Sequence, residues 1–149
     1  TPDIRRAFAL GAYAGLRVSE VAALDWADID IEARRIFVRG KGDKDRAVGL
    51  LLLLLDGLLP NTGGNVVTAG GREHSADSLQ RATNRVIVAA GVDATFHKLR
   101  SRFATVTLAA TGNLLAVSRA LGHASPTTTA IYAATADSDL DVIAEADSR

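Results

Sequence analysis

Apolar positions along the chain fall into two periods. From Asp3 to Ala14, the residues Ile4, Ala7, Phe8, Leu10, Gly11 and Ala14 recur at about 3.6 residues per turn, which predicts an amphipathic helix. Gly15 follows at a C-cap position, where glycine tolerates positive φ. A second short helix is predicted from about Ser19 to Leu24. The period then drops to two. Ile29 and Ile31 alternate with Asp28, Asp30 and Glu32, then Ile36, Phe37 and Val38 form a β-rich run, and Arg46 to Leu50 form a third. Glu32-Ala33-Arg34-Arg35 and Gly40-Lys41-Gly42-Asp43-Lys44 carry hairpin-turn chemistry between these runs. Three short antiparallel strands are expected.

The leucine run is compatible with a buried helix or a continued strand; length and propensity favour a helix over about 51–58, ended by Pro60. Asn61 to Gly71 reads as a glycine-rich loop, with Val66 and Val67 a candidate brief strand. Asp77 or Ser78 is expected to cap a helix running through Ala90 and stopped by Gly91. A further helix is predicted from Phe96 to Ala110. Thr111-Gly112-Asn113 then turns into one that ends at Leu121-Gly122. Ser125-Pro126 pairs a capping hydroxyl with a proline at the first helical position, starting a helix from Thr127 to about Ala134. One more short helix is expected around Leu140 to Ala146. The expected fold class is α+β and mainly helical, with a small three-stranded antiparallel sheet. No internal repeat or domain linker interrupts it.

Composition narrows the chemistry. At 149 residues the chain forms one domain of ordinary size. It has no cysteine, which excludes disulfide scaffolds, thiolate zinc sites and cysteine nucleophiles. Its longest apolar run falls well short of the roughly 18–20 residues needed to span a bilayer, and no signal-peptide pattern opens it. These features predict a soluble cytoplasmic domain. Seventeen basic side chains against seventeen acidic ones give a formal charge of zero, which at face value argues against a nucleic-acid partner. The total hides a division. Residues 137–149 hold five acidic groups against Arg149 alone, so the first 136 residues carry about four positive charges in excess. That excess lies mostly in Arg34 to Arg46 and in Arg81 to Arg119. A phosphate-binding surface is therefore compatible with the composition.

Several residues could carry chemistry. His97 and Arg100 lie three apart on a predicted helix and share one face. A guanidinium beside an imidazole repels a metal cation but suits an oxyanion or phosphate, because arginine offers a planar fork of donors. His123 sits between two helices, and Tyr132 follows nine residues on. Taken alone, Tyr132 reads as a packing residue, since a phenol with pKa near 10 is a weak nucleophile at neutral pH. Cationic donors and a nearby base change that. Arg17 stands at a helix junction with Glu20 three residues on, an ordinary i,i+3 pair by itself. Lys41 occupies the tip of the predicted hairpin. His74 lies in a polar loop and has no assigned role.

Together these features form a pattern. Ala14-Gly-Leu-Arg-Val-Ser-Glu-Val-Ala-Ala-Leu-Asp-Trp-Ala-Asp28, Gly40-Lys-Gly-Asp-Lys-Asp-Arg46, His97-Lys-Leu-Arg100, Leu121-Gly-His123 and Tyr132 fall in order across nearly the whole chain. The sequence resembles the tyrosine recombinase (phage integrase) catalytic domain. The resemblance implies site-specific DNA recombination or integration through a covalent 3′-phosphotyrosyl intermediate, without metal or other cofactor. Tyr132 would be the nucleophile and Arg17 and Arg100 the phosphate-stabilising donors. Lys41 would be the general acid, His97 would assist proton transfer, and His123 would hydrogen-bond the scissile phosphate. Glu20 would buttress the Arg17 helix. The implied partner is double-stranded DNA at recombination sites, engaged by a homo-tetramer, with no membrane and no small-molecule substrate. The implied setting is the cytoplasm of a bacterial host, the gene being bacterial or phage-borne.

On this resemblance residues 1–149 are the catalytic domain, and the acidic tail 137–149 packs on a neighbouring subunit. The resemblance further implies an N-terminal core-binding domain, which is expected to be absent from this chain. Ser101 stands where members commonly carry a second histidine, and Gly49 where proline is common. Three other readings compete. A helix-turn-helix module spanning Thr107 to Tyr132 would need a basic recognition helix, and Thr127 to Ala134 carries no charge. A relaxing topoisomerase or resolvase would share the same residues. A metal-dependent hydrolase lacks an evident ligand set. The resemblance further predicts that these residues alone bind DNA weakly and with little sequence discrimination. Tight, site-specific binding in a salt-titrated assay would contradict this.

Overall fold

The computed structural model describes residues 1–40, 45–49, 64–69, 71–123 and 129. Helix α1 (Pro2–Ala14) opens with proline in its first turn and Asp3 at its positive end, and buries Ile4, Ala7, Leu10, Gly11 and Ala14 along one stripe. Helix α2 (Val18–Ala23) follows, then a 3₁₀ turn at Trp26–Asp28. Strands β1 (Ile29–Asp30), β2 (Arg35–Val38) and β3 (Arg46–Gly49) form an antiparallel meander in the order β1-β2-β3, with Ile29 opposite Ile36 and Ile36 opposite Val48. These strands place Ile36, Val38 and Val48 in the core and leave Phe37 49% exposed, as a period of two requires. Strands β4 (Thr68–Ala69) and β5 (Arg72–Glu73) make a separate hairpin. Helices α3 (Ala76–Ala89), α4 (Phe96–Thr111) and α5 (Leu114–Leu121) complete the described elements. The fold is mainly helical with a small three-stranded antiparallel sheet, as the hydrophobic periods predict.

The main core joins α1, α2, the sheet, Val66, Val67, Leu79 and Phe96. A second cluster, Phe103, Ala104, Leu108, Val117 and Leu121, lies between α4 and α5. Helix α1 packs closely on α4, and two glycines permit it. A Cβ on Gly11 would stand 2.9 Å from Phe96 Cζ, and one on Gly15 would stand 2.4 Å from Phe103 Cδ1. Gly15 also has φ 66°, so it meets two constraints at once, a left-handed backbone and an aromatic ring against its face. Phe8 and Phe96 stack across the same interface with centroids 6.3 Å apart.

Some local expectations are corrected. The α3 cap is Ser75, whose hydroxyl accepts from the Ser78 N–H at 3.1 Å; Asp77 and Ser78 lie inside the first turn. Val66 and Val67 are fully buried but sit in a bend, and the strand begins at Thr68. Ile31 belongs to the β1–β2 turn and is 45% exposed, and Arg34 adopts φ 53° there. The 3₁₀ turn is an addition that the hydrophobic periods do not predict. Reciprocal bonds make it, from Ala27 N–H to Asp25 Oδ1 (2.8 Å) and from Asp25 N–H to Asp28 Oδ2 (3.1 Å). The leucine-run helix, the Gly40–Lys44 turn beyond Gly40, the helix after Ser125-Pro126 and the acidic-tail helix lie outside the described residues.

Gly15→Ala is expected to destabilise the domain by about 2–5 kcal/mol, combining left-handed strain with overpacking against Phe103. Gly112, with φ 62° and no described atom within 4 Å of where a Cβ would stand, supplies the control. Gly112→Ala should cost only about 1 kcal/mol. Urea denaturation of both variants measures the difference, and equal losses would show that Phe103 relaxes at no cost.

Candidate active site

Arg100 organises the site. It lies one turn into α4, and its residue is only 1% exposed. Its guanidinium donates from Nη1 to the Gly15 carbonyl at 2.6 Å and from Nη2 to the Leu121 carbonyl at 2.5 Å. Both acceptors are at helix C-termini, where the backbone dipole presents negative charge. The side chain therefore ties the end of α1 to the end of α5. Nη1 also comes within 3.9 Å of Glu20 Oε2.

Glu20, in the first turn of α2, is the hub of the local charges. It accepts from the Arg17 backbone N–H at 2.7 Å and from Arg17 Nη1 at 3.0 Å. Arg46, on β3, grips both of its oxygens, with Nη1 to Oε1 at 2.8 Å and Nη2 to Oε2 at 2.9 Å. The Arg46 Nε donates to the Ala120 carbonyl at 2.7 Å. Three guanidinium groups thus converge on one carboxylate. Burial by itself would raise the Glu20 pKa, but the Arg46 hydrogen bonds, the Arg17 N–H and the charges of Arg46 and Arg17 outweigh it. The carboxyl is held below its ordinary 4.5.

His123 follows Gly122, which adopts φ 64°, and its backbone N–H closes the α5 end on the Ser118 carbonyl at 3.1 Å. Its Nδ1 lies 2.8 Å from the hydroxyl of the buried Thr129. Burial, then the charges of Arg100, Arg17 and Arg46 and the ring of His97, push it below the usual histidine range. The imidazole is accordingly neutral at physiological pH, with one donor and one acceptor nitrogen. His97 is exposed, and with Arg17 and Arg100 it lines a cleft of about 230 Å³ whose other walls include Leu16, Ser19, Gln80 and Phe96. The Arg17 side chain is 43% exposed, so one face of its guanidinium meets solvent while the other is held by Glu20.

Of the six residues singled out from the sequence, the structure brings Arg17, His97 and Arg100 to one cleft and His123 into their field. Lys41 and Tyr132 lie outside the described residues. Ser101 donates from Oγ to the His97 carbonyl of its own helix at 3.3 Å. Arg46 and Thr129 were missed as site neighbours. Arg46 closed the Gly40–Arg46 string, but nothing local tied it to Glu20, 26 residues earlier. Among the described residues, no cluster of three or more His, Cys, Asp or Glu side chains is arranged to hold a metal ion. Among them too, no helix is long and apolar enough to cross a membrane.

The family model described as "Phage integrase family" matches residues 3–139, and the chain belongs to that family, the tyrosine recombinases. Over 131 residues it is 36% identical to the tyrosine recombinase XerC of Serratia marcescens, covering 80% of this chain and 43% of that protein. It is 35% identical over 136 residues to the tyrosine recombinase XerD of Mycobacterium tuberculosis (strain CDC 1551 / Oshkosh), covering 79% of this chain and 43% of XerD. Among solved structures, XerH site-specific recombinase bound to palindromic difH substrate, a post-cleavage complex, matches with TM-score 0.76 and 27% identity over 98% of this chain and 46% of that one. The chain spans less than half the length of these relatives.

The Glu20 environment sets a pH dependence. A carboxylate depressed in the folded state stabilises the fold fully above its unfolded value near 4.5, and that stability is lost as pH falls through the lower folded value. Glu20→Gln should lower stability at neutral pH by about 3 kcal/mol, because three arginines lose their shared anion. It should also remove part of the decline that the unsubstituted protein shows below about pH 4.5. Urea titrations from about pH 6 to about pH 3 test this, and parallel curves for the two proteins would refute the assignment.

Proposed function

We propose that this domain breaks and rejoins DNA strands as the catalytic part of a site-specific tyrosine recombinase, working through a covalent 3′-phosphotyrosyl intermediate. The observation that carries the reading is the convergence of Arg17, His97 and Arg100 on one cleft, with neutral His123 in their field. Fixed donors of this kind suit a phosphodiester whose non-bridging oxygens gain charge as phosphorus becomes five-coordinate.

In this reading the Tyr132 oxygen attacks phosphorus and the bond to the 5′-oxygen breaks. The phenolic proton passes to His97. The departing 5′-oxygen takes a proton from Lys41. One phosphodiester replaces another, so the step needs no high-energy cofactor, and the freed 5′-hydroxyl of a second strand reverses it. Arg17 and Arg100 neutralise the non-bridging oxygens, a task that a metal ion performs in many nucleases. His123 donates its remaining N–H to one of those oxygens while Thr129 orients the ring through Nδ1. Double-stranded DNA at recombination sites is the substrate, and a homo-tetramer on paired sites is the assembly in which strands are exchanged. The similarity to XerH, solved bound to its difH substrate, supports the DNA substrate. The acidic segment 137–149 is assigned to subunit packing.

The test uses the full-length protein and a nicked suicide DNA substrate. A covalent protein–DNA adduct should survive denaturation, form equally in the presence of chelator, and vanish in Tyr132→Phe. Arg17→Ala and Arg100→Ala should each slow its formation by about 10²–10³-fold. No adduct on the protein's own recombination site would sink the proposal.

A further inference from the structure

The Arg46 side chain is only 9% exposed, yet it is not one of the residues that line the cleft with Arg17, His97 and Arg100. Its stem passes over Gly122, where an added Cβ would stand 3.1 Å from Arg46 Cδ. Its head holds both oxygens of Glu20 and the carbonyl of Ala120. A cation so nearly buried, and outside the cleft lining, calls for an account of what its charge does.

Counting charges supplies one. Among the described residues Arg17, Arg46 and Arg100 surround Glu20, and these three positive groups and one negative group sum to two positive charges at this corner. A phosphodiester carries one negative charge, and a five-coordinate phosphorane carries about two. The corner matches the phosphorane. Without Arg46 the excess falls to one. Glu20 would then turn its whole field on the two arginines that remain beside it, in a region where burial leaves charges weakly screened. It would compete with the substrate phosphate for Arg17.

We propose that Arg46 is a positioning residue for transition-state stabilisation: by occupying both oxygens of Glu20, it keeps Arg17 and Arg100 directed to the reacting phosphate and sets the positive excess of the site. The inference rests on the reading that the cleft takes a DNA phosphodiester. Among the described residues the Arg46 guanidinium bonds to Glu20 and the Ala120 carbonyl, and it acts on the cleft through Glu20.

Single-turnover cleavage by the full-length protein on the suicide substrate tests it. Arg46→Met should slow cleavage at saturating DNA by about 100-fold, with DNA affinity changed less than about threefold. Replacing the scissile phosphodiester by a neutral methylphosphonate removes one charge from the substrate, and on it the loss should shrink to less than about tenfold. Glu20→Gln added to Arg46→Met restores the excess of two and should recover at least about tenfold over Arg46→Met alone. Arg46→Lys, which keeps the charge, should stay within about tenfold of the unsubstituted protein. Arg46→Gln carries the same comparisons if Arg46→Met does not fold. Equal losses on both substrates, or a double variant no faster than the single one, would overturn the proposal and leave Arg46 a packing residue. Absence of a Tyr132-dependent adduct from the unsubstituted protein is a different result: it removes the reading of the cleft itself, and this inference with it.

Discussion

A guanidinium group in a protein interior keeps its charge but loses its hydration, so its burial is tolerated only where fixed acceptors replace the water it gave up. Arg100 meets that demand with the carbonyls of Gly15 and Leu121 and with Glu20 at 3.9 Å. Those three groups belong to the end of α1, the end of α5 and the start of α2, which come from both ends of the described chain. Burying one cation therefore forces three helix termini to meet. The terminal carbonyls of α1 and α5 point their dipoles at it, so the backbone supplies negative potential there in addition to the Glu20 carboxylate. Arg17, just beyond the α1 cap, and His123, one residue beyond the α5 cap, come with those termini. The positions of both follow from the burial of Arg100.

The glycines make that convergence possible. Gly15 lets α1 end abruptly with its carbonyl turned toward Arg100, while its bare face admits the ring of Phe103. Gly122 ends α5 with a left-handed backbone and leaves room for the Arg46 stem. At each place a left-handed backbone and a close approach coincide, so a larger residue would meet both obstacles together. Helices α1 and α4 also approach closely at Gly11, which fixes their spacing and hence the reach of Arg100 to Gly15.

The parts of this structure that could be read from sequence are those decided within a few residues. Periodicity located α1, α4 and α5, and glycine located their ends, because both signals act over one or two turns. The hairpin between Ile29 and Val38 was readable from its alternation for the same reason. What escaped was either a competition among neighbours or a contact across the chain. Ser75, Asp77 and Ser78 could each cap α3, and only backbone geometry selects Ser75. Val66 and Val67 are apolar because they are buried, and burial alone does not make a strand. The Arg17–Glu20 pair lay within one turn and was foreseen; the Arg46–Glu20 pair joins β3 to α2 and was not. The order of motifs identified Arg17, His97 and Arg100 as a set, yet their meeting at one cleft depends on helix packing that no spacing encodes.

The zero net charge of the chain illustrates the same division between local and summed quantities. A formal total weighs an acidic tail residue and a buried arginine equally, although their fields differ by the medium around them. At the surface, salt screens a charge within about 10 Å at ordinary ionic strength. Inside the Arg17–Glu20–Arg46–Arg100 cluster, protein excludes most of that screening, so the local balance governs what an anion meets in the cleft. Glu20 is the informative case. Its ionisation against the pull of burial shows that the arginines set the potential there, and its own charge offsets one of theirs. A site with three arginines and no carboxylate would bind any phosphate tightly in its ground state. One that answers them with a single glutamate holds back part of that attraction, which favours the more highly charged transition state over the substrate.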